Sequence, residues 1–296
     1  MRAYVFTATV LVVGAVLPFV GSSAAAPKDA GELAFTRGGD LYAVRADGTG
    51  LRRLTRTHAV EGAPAWSPDG TRLAYNAGGS VSAQIFVREA DSGRTRAITR
   101  GRAQNLSPAW SPDGARLAFA SNRTGTYDIY VANAGGSGIR RLTRLGSSFS
   151  PAWSPDGRTI VFSSSGRTPE NPELYAIRPD GSGLRRLTRT AGGIDTLGDD
   201  GMPSWSPDGR RIAFTSNRTG DGEIWTMAPT GRKQRRLFGF PRRDDWWPRY
   251  SPDGSMLAFA SFATGARDLY IADATGRNVR LLLRNGAEPS WRPSVR

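Results

Sequence analysis

The sequence predicts an all-β fold, a six-bladed β-propeller, from three observations. The heptapeptide Pro-Ala-Trp-Ser-Pro-Asp-Gly at 64–70 recurs along the chain with small changes. Its aromatic position returns at steps of 44, 43, 52, 45 and 41 residues, at Trp66, Trp110, Trp153, Trp205, Tyr250 and Trp291. Each repeat reads as four short strands, and the two chain ends carry complementary parts of one further repeat. This period in strand-like sequence is typical of propellers with one four-stranded blade per repeat.

Each repeat predicts its strands in a fixed order. The first strand ends at the Trp motif, and Ser-Pro-Asp-Gly predicts a tight turn, because Pro fixes a negative φ and Gly accepts a positive one. The second strand is the apolar triplet at 73–75, 117–119 and equivalent positions. A polar loop then leads to a third strand, such as 129–131. After a Gly-rich turn, Arg-Arg-Leu-Thr at 140–143 marks the fourth strand.

The chain ends set the blade count. Segments 33–35, 41–43 and 52–55 match the second, third and fourth strands, but no Trp motif precedes them. Segment 289–291 supplies the missing first strand. Five complete blades and one shared blade make six. We expect the C-terminal strand to join the three N-terminal strands and close the ring, which leaves no open edge between blades.

These repeats resemble the TolB-type (WD-like) propeller repeat, whose signature has Pro-x-Trp-Ser-Pro-Asp-Gly, Leu-Ala-Phe, an Ile-Tyr strand and a terminal Arg-x-Leu-Thr. The resemblance covers residues 31–296 and implies the fold. It does not imply one activity, since such repeats occur in TolB, beside serine peptidases and in certain pectate-type lyases. We expect this chain to lack the N-terminal α/β domain of TolB, which argues against a direct Tol-Pal role.

The first 26 residues predict a cleaved signal peptide. Arg2 precedes an apolar run at 3–20 and a small-residue segment at 21–26, with cleavage expected near 24–26. Residues 27–296 then form one propeller domain. An uncleaved membrane anchor is the alternative, but Pro18 and the short run disfavour it. We expect an exported protein, periplasmic or extracellular, that is a monomer without a membrane span after cleavage.

Composition excludes several kinds of chemistry. The chain has no cysteine, so it forms no disulfide and no Cys-ligated metal site. His58 is the only histidine and no Gly-x-Ser-x-Gly is found, which argues against a Ser-His-Asp triad and against the histidine-rich metal sites of the related lyases. We expect no cofactor, with a channel or loop cation such as calcium as the alternative. No motif indicates specific nucleic-acid binding.

Three sets of repeated residues have a structural interpretation. The turn aspartates should bond their own backbone, and the tryptophans should wedge between blades. The net charge of +14 comes mostly from arginine. One arginine recurs at the start of every fourth strand, where it protects an exposed edge or binds an anionic polymer. The turn aspartates are Asp69, Asp113, Asp156, Asp208 and Asp253, and the arginines are Arg52, Arg96, Arg140, Arg185, Arg235 and Arg280.

Departures from the repeat predict the binding site. The loops at 189–202 and 238–247 are acidic and aromatic, and they should open on the same face as the loop near residue 170, beside the channel mouth. A solvated insertion is the alternative. Carboxylates beside exposed indoles suit a cation or a basic peptide. The predicted site residues are Glu170, Asp195, Asp199, Asp200, Asp244, Asp245, Trp246 and Trp247.

These features favour a non-enzymatic scaffold that binds an envelope or secreted protein. Two alternatives remain: a carbohydrate-active or hydrolytic enzyme that uses the acidic loops, and a binder of anionic envelope polymer.

Overall fold

A computed structural model describes residues 31–166, 171–190, 200–263 and 266–294. Every regular element within these ranges is a β-strand, and the strands form six antiparallel sheets of four. The predicted six-bladed, all-β propeller is therefore confirmed. The predicted signal peptide and the domain boundary at residue 27 lie outside the described residues.

The strands are short. In the first half of the chain they are β1 (Glu32–Arg37), β2 (Asp40–Arg45), β3 (Arg52–Arg53), β4 (Val60–Trp66), β5 (Arg72–Gly78), β6 (Ala83–Glu89), β7 (Thr95–Ala97), β8 (Asn105–Trp110), β9 (Arg116–Thr124), β10 (Thr126–Asn133), β11 (Arg140–Arg141) and β12 (Ser148–Trp153). In the second half they are β13 (Ile160–Ser164), β14 (Glu173–Ile177), β15 (Arg185–Arg186), β16 (Asp200–Trp205), β17 (Ile212–Ser216), β18 (Glu223–Met227), β19 (Arg235–Phe238), β20 (Asp244–Tyr250), β21 (Met256–Ala263), β22 (Ala266–Asp273), β23 (Arg280–Leu283) and β24 (Ala287–Arg292).

Each sheet is one blade. Blade 1 is β24-β1-β2-β3, and blades 2 to 6 take the remaining strands four at a time in chain order. The first strands of neighbouring blades, β24, β4, β8, β12, β16 and β20, pack in a ring around a central channel. The Ser-Pro-Asp-Gly turns lie on one face of the ring, the turn face. Loops from second to third strands and from one blade to the next lie on the opposite face, the loop face.

Blade 1 closes the ring as the sequence predicted. Strand β24 pairs antiparallel with β1, and Leu33 lies opposite Trp291. The Thr36 hydroxyl also donates to the Ala287 carbonyl at 3.1 Å. The closing strand is therefore an integral part of a sheet, and both chain ends contribute to one blade.

The second and third strands of the blades share an aromatic layer. Phe35 lies opposite Tyr42 in the β1–β2 ladder, with ring centroids 5.8 Å apart. Phe119 and Tyr130 repeat the pair in blade 3 at 6.1 Å. The phenylalanines are fully buried. Because directly opposed aromatic side chains stabilise a strand pair, this layer explains why the Leu-Ala-Phe triplet is repeated.

The repeated tryptophan packs between blades. The indole of Trp110 donates to the Ala65 carbonyl of blade 2 at 3.0 Å, and the guanidinium of Arg72 lies 4.5 Å from its ring centroid. Trp291 makes the same hydrogen bond to the Arg249 carbonyl at 3.0 Å. The wedge role predicted for this residue is confirmed, and an arginine stacked on the indole adds a cation–π contact.

The predicted role of the turn aspartates is also confirmed. In blade 2, Asp69 accepts from the Ser67 hydroxyl at 2.5 Å and from the Thr71 N–H at 3.0 Å. These hydrogen bonds hold the pKa of Asp69 below its ordinary value against the opposing effect of burial. Asp113 makes the same two bonds in blade 3. These carboxylates are therefore used in forming the turns.

The fourth strand of a blade is bonded both to its own blade and to the next. In blade 3, Arg141 pairs with Asp128 at 2.6 Å, and the Thr143 hydroxyl donates to the same carboxylate. In other blades, the arginine at the start of the fourth strand reaches the neighbouring blade. Arg96 donates to the Ala134 carbonyl at 2.9 Å, and Arg280 donates to the Ala46 carbonyl at 2.6 Å. Edge protection and polymer binding were the expected roles of this arginine, and the bond between blades is an additional role that the sequence did not predict.

Removing residues 288–296 tests the closure of the ring. The deletion takes away most of β24 and leaves the β1 ladder and a buried tryptophan site without partners. We expect the free energy of unfolding to fall by roughly 5 kcal/mol or more, which is comparable to the whole stability of many domains. Denaturant unfolding measures this loss. A truncated protein that melts within a few degrees of the parent would show that β24 is not needed for closure.

Candidate functional site

Every first strand has a bulge at the residue before its proline. These residues have φ between 47° and 57°, although none of them is glycine. The register of the strand shifts at the same point in each blade. Positive φ is uncommon for such residues and costs about 1–3 kcal/mol each, and bulges are frequent at functional rims. The six residues are Ala63, Ser107, Ser150, Met202, Trp247 and Glu288.

The bulges surround the central channel. Five of these residues, all except Met202, line a channel cavity of about 300 Å³ together with the prolines and aromatic residues of the Trp motif. Most of the other wall residues are small. The two charged side chains of this wall are Arg249 and Glu288. Trp247 thus belongs to the channel rather than to the surface of the loop face.

A second cavity, the loop-face cavity, lies over blades 4, 5 and 6. Its volume is about 430 Å³, and its walls are mostly apolar. It combines side chains from separate loops and strands, which only the ring brings together. Among the lining residues are Phe149, Pro172, Asp200, Met202, Asp244 and Trp246.

Asp244 and Trp246 form one wall of the loop-face cavity. Asp244 is exposed, and one of its carboxylate oxygens accepts from the Gly222 N–H at 2.7 Å. The half-buried Trp246 ring packs at 5.2 Å from Phe262 and at 5.6 Å from Trp247. A Cβ at Gly222 would lie 2.6 Å from the indole nitrogen of Trp246, so the absence of a side chain there lets the indole approach the loop.

Asp200 forms the cavity floor but is held by the protein. Its side chain is fully buried and pairs with Arg218 at 2.6 Å. The guanidinium of Arg218 lies 4.5 Å from the ring centroid of Trp225 and also donates to the Ser216 hydroxyl at 2.8 Å. Burial raises the pKa of Asp200, and the Arg218 cation opposes this rise. The carboxylate is therefore already paired before any ligand arrives.

Asp245 points into the protein beneath the loop at 239–243. It is fully buried and accepts from the Phe240 N–H at 2.8 Å. Burial raises the pKa of Asp245 to about 6, with the bonds from Ser261 and Phe240 acting in the opposite direction. This side chain shapes the loop beside Asp244 and does not face the cavity.

The structure thus divides the predicted site residues. It brings Asp200, Asp244 and Trp246 to one cavity, places Asp245 behind it and directs Trp247 to the channel. Glu170, Asp195 and Asp199 lie outside the described residues. Sequence reasoning missed Phe149, Pro172 and Met202, and also Arg249 and Glu288 in the channel. For Met202 and Glu288 the available signal was the residue before each motif proline, which varies between otherwise similar repeats, and for Arg249 it was the residue after that proline, which is small in the other repeats.

Over the described ranges, no group of three or more His, Cys, Asp or Glu side chains is arranged to hold a metal ion. In the same part of the chain, no helix is long and apolar enough to span a bilayer.

Comparisons with known proteins agree with the fold. A family model described as the TolB beta propeller domain matches residues 36–190 and 144–243. The Protein TolB homolog of Chlorobium luteolum is 36% identical over 55 residues, which are 19% of this chain and only 13% of that protein.

Solved structures are similar over most of the chain. TolB from Acinetobacter baumannii has a TM-score of 0.76 and 22% identity, and the match covers 89% of this chain and 67% of that one. The putative TolB from Agrobacterium tumefaciens has a TM-score of 0.73 and 26% identity, with coverages of 87% and 90%. An oligogalacturonate lyase in complex with manganese has a TM-score of 0.62 and 16% identity, with coverages of 86% and 74%. At the lower identities the likeness shows the fold alone.

Replacing Arg218 tests the floor of the cavity. Arg218→Met leaves the buried Asp200 carboxylate without its cation, and we expect the free energy of unfolding to fall by roughly 3–5 kcal/mol. Denaturant unfolding at neutral pH measures the change. Arg123→Met is the matched control, because Arg123 occupies the equivalent loop position in blade 3 but bonds the neutral Asn105 at 2.8 Å. Equal losses in the two variants would contradict the role assigned to the ion pair.

The raised pKa of Asp245 predicts a pH dependence of stability. The stability that this group contributes is fully present below its ordinary pKa of 3.8 and is lost as the pH rises through about 6. Asp245→Asn removes the titration and keeps an acceptor for the Phe240 N–H. We expect the variant to gain roughly 1–3 kcal/mol of unfolding free energy relative to the parent between acid and neutral pH. Unfolding curves across this range measure the gap, and a constant gap would contradict the assignment.

Proposed function

We propose that this protein, which belongs to the TolB β-propeller domain family, acts as a non-enzymatic scaffold that binds another protein at the loop-face cavity. One observation carries the proposal: a mostly apolar cavity of about 430 Å³ is bordered by the exposed Asp244 and the half-buried Trp246. The rest of the chain has a large positive charge, +14 overall. The acidic and aromatic border of the cavity therefore favours a basic, partly apolar segment of the partner protein.

The chemistry of the wall suggests the kind of segment. Tryptophan in a pocket is the residue type that most often dominates a protein interface. The indole of Trp246 offers an apolar surface, and Asp244 accepts one backbone hydrogen bond while remaining exposed. A carboxylate in this position can pair with a lysine or an arginine of the partner. We therefore propose that an apolar side chain enters the cavity while a neighbouring basic residue contacts Asp244.

The described acidic residues do not favour catalysis. A glycoside hydrolase uses two carboxyl groups that both face the scissile bond. Here Asp200 is paired with Arg218 and Asp245 is buried under a loop, so neither presents a free carboxylate to the cavity. This supports the scaffold over the carbohydrate-active or hydrolytic alternative.

The proposed location follows from the N-terminal segment of the sequence. An exported chain meets its partner in the periplasm or outside the cell, so an envelope or secreted protein is the proposed partner. The matched segment spans 13% of the Protein TolB homolog, and the partners of this chain are therefore proposed from its own residues.

Capture of partners from an envelope extract tests the proposal. Mature protein is immobilised, and bound proteins are identified and quantified by mass spectrometry. We expect a saturable protein partner whose affinity falls at least roughly tenfold in the double variant Asp244→Ala, Trp246→Ala. The matched control is Asp91→Ala with Leu281→Ala, because these residues are exposed and do not line the loop-face cavity.

Three outcomes would contradict the proposal. Unchanged capture by the cavity variant would place the site elsewhere, and loss of binding in Arg140→Ala, Arg185→Ala, Arg235→Ala would indicate the anionic-polymer alternative. Turnover of cell-wall glycans at catalytic rates, abolished by the cavity variant, would indicate an enzyme.

A further inference from the structure

The central channel departs from the repeat at one position. The residue between the proline and the aromatic residue of the motif is small in five blades and lines the channel in all six. In blade 6 it is Arg249. The complete set is Ala65, Ala109, Ala152, Ser204, Arg249 and Ser290. A narrow channel explains the small residues, so the arginine needs a separate explanation.

The guanidinium of Arg249 is only partly satisfied by the protein. Its Nη1 donates to the Pro248 carbonyl at 3.0 Å and reaches the Met202 carbonyl at 3.5 Å. Within the described part of the chain, Arg249 forms no ion pair. A guanidinium has five N–H donors, so several remain for a ligand in the cavity that Arg249 lines.

Burial makes this cation unusual. Removal from water lowers the pKa of Arg249 to about 10, and the charge of Glu288 only partly offsets this effect. The Glu288 carboxylate is itself used elsewhere, because one of its oxygens accepts from the Ala63 N–H at 2.8 Å. Arg249 is half-buried, and a cation partly removed from water without a paired anion is costly for the fold. An oxyanion beside Arg249 would remove that cost.

The surrounding wall fits a small oxyanion. Ser107 and Ser150 line the same cavity, and hydroxyls can donate to an anion. The cavity of about 300 Å³ has room for an ion of a few heavy atoms. We propose that the central channel is a binding site for a small oxyanion, a carboxylate or a phosphate, held by the guanidinium of Arg249.

The site is independent of the proposed function. It uses Arg249 in the channel, whereas the proposed partner uses Asp244 and Trp246 on the loop face. Either can fail without the other, because the two sets of variants share no residue.

Thermal unfolding in the presence of anions tests the channel site. The probes are malonate and inorganic phosphate, each titrated against sodium chloride at matched ionic strength to remove general screening. We expect the melting temperature of the parent to rise along a saturating curve with at least one of the probes, because an ion that binds only the folded state stabilises it. A parent that responds to both probes only as it does to chloride would overturn the proposal.

Variants at the guanidinium decide whether the response belongs to the channel. Arg249→Ala should fold, because three other blades have alanine at this position. We expect it to bind the probe at least about tenfold more weakly, as befits the loss of a charged hydrogen-bonding group. Arg210→Ala, on the exposed turn face, is the matched control and should respond as the parent does. The same saturating curve in Arg249→Ala and the parent would overturn the proposal.

Glu288→Gln gives a second measurement that does not remove the guanidinium. The change takes away a negative charge near Arg249 and keeps an acceptor for the Ala63 N–H. We expect the probe to bind severalfold more tightly. Weaker binding in this variant would contradict an anion placed beside Arg249.

Discussion

The pairing of β24 with β1 is the constraint on which the remaining structure depends. A blade is stable in this ring because it has a neighbour on both sides, and the last neighbour exists only when the two chain ends form one sheet. Hydrogen bonds at the closure of the ring lie near the channel, within the sheet of blade 1 and at the outer edge. The indole of Trp291 donates to the Arg249 carbonyl near the channel, Thr36 bonds Ala287 within the sheet, and Arg280 reaches Ala46 at the outside. The channel cavity and the loop-face cavity both depend on this closed ring.

The repeat supplies the packing, so the functional candidates are found where it changes. Tryptophan wedges, turn aspartates and outer arginines are all used in joining strands or blades, which explains why their high frequency does not by itself indicate a ligand. The loop-face cavity and the channel site depend on different departures from the repeat. Loops of changed composition border the first, and the second has one large side chain, Arg249, where the other blades have small residues. The two cavities are neighbours, because Ser150 lines both, and Trp246 lines the first while the next residue, Trp247, lines the second.

The sequence predicted the fold almost completely because every blade repeats the same sequence pattern. Strand order, turn type and closure follow from local signals that are repeated. The candidate site was predicted only in part. Asp200, Asp244 and Asp245 look alike in the sequence, yet Asp200 and Asp245 are buried and Asp244 is exposed. Asp244 and Asp245 are consecutive residues of β20, and successive side chains of a strand point to opposite sides. Which side each carboxylate takes depends on where the strand begins, which composition does not reveal. Arg249 departs from the repeat in the sequence, but only the structure shows that this position lines the channel.

A strand residue ordinarily takes part in the backbone ladder and also packs its side chain against an opposite partner. The bulge before each proline releases one residue from both roles. Because the backbone ladder skips this residue, its side chain is not constrained by an opposite partner in the next strand. Alanine, serine, methionine, tryptophan and glutamate all occur there in one molecule, on nearly the same backbone. Such positions let the aperture of a propeller change its chemical preference by point substitution without disturbing any blade. The ring has six such positions, and five of them line the channel cavity at its centre.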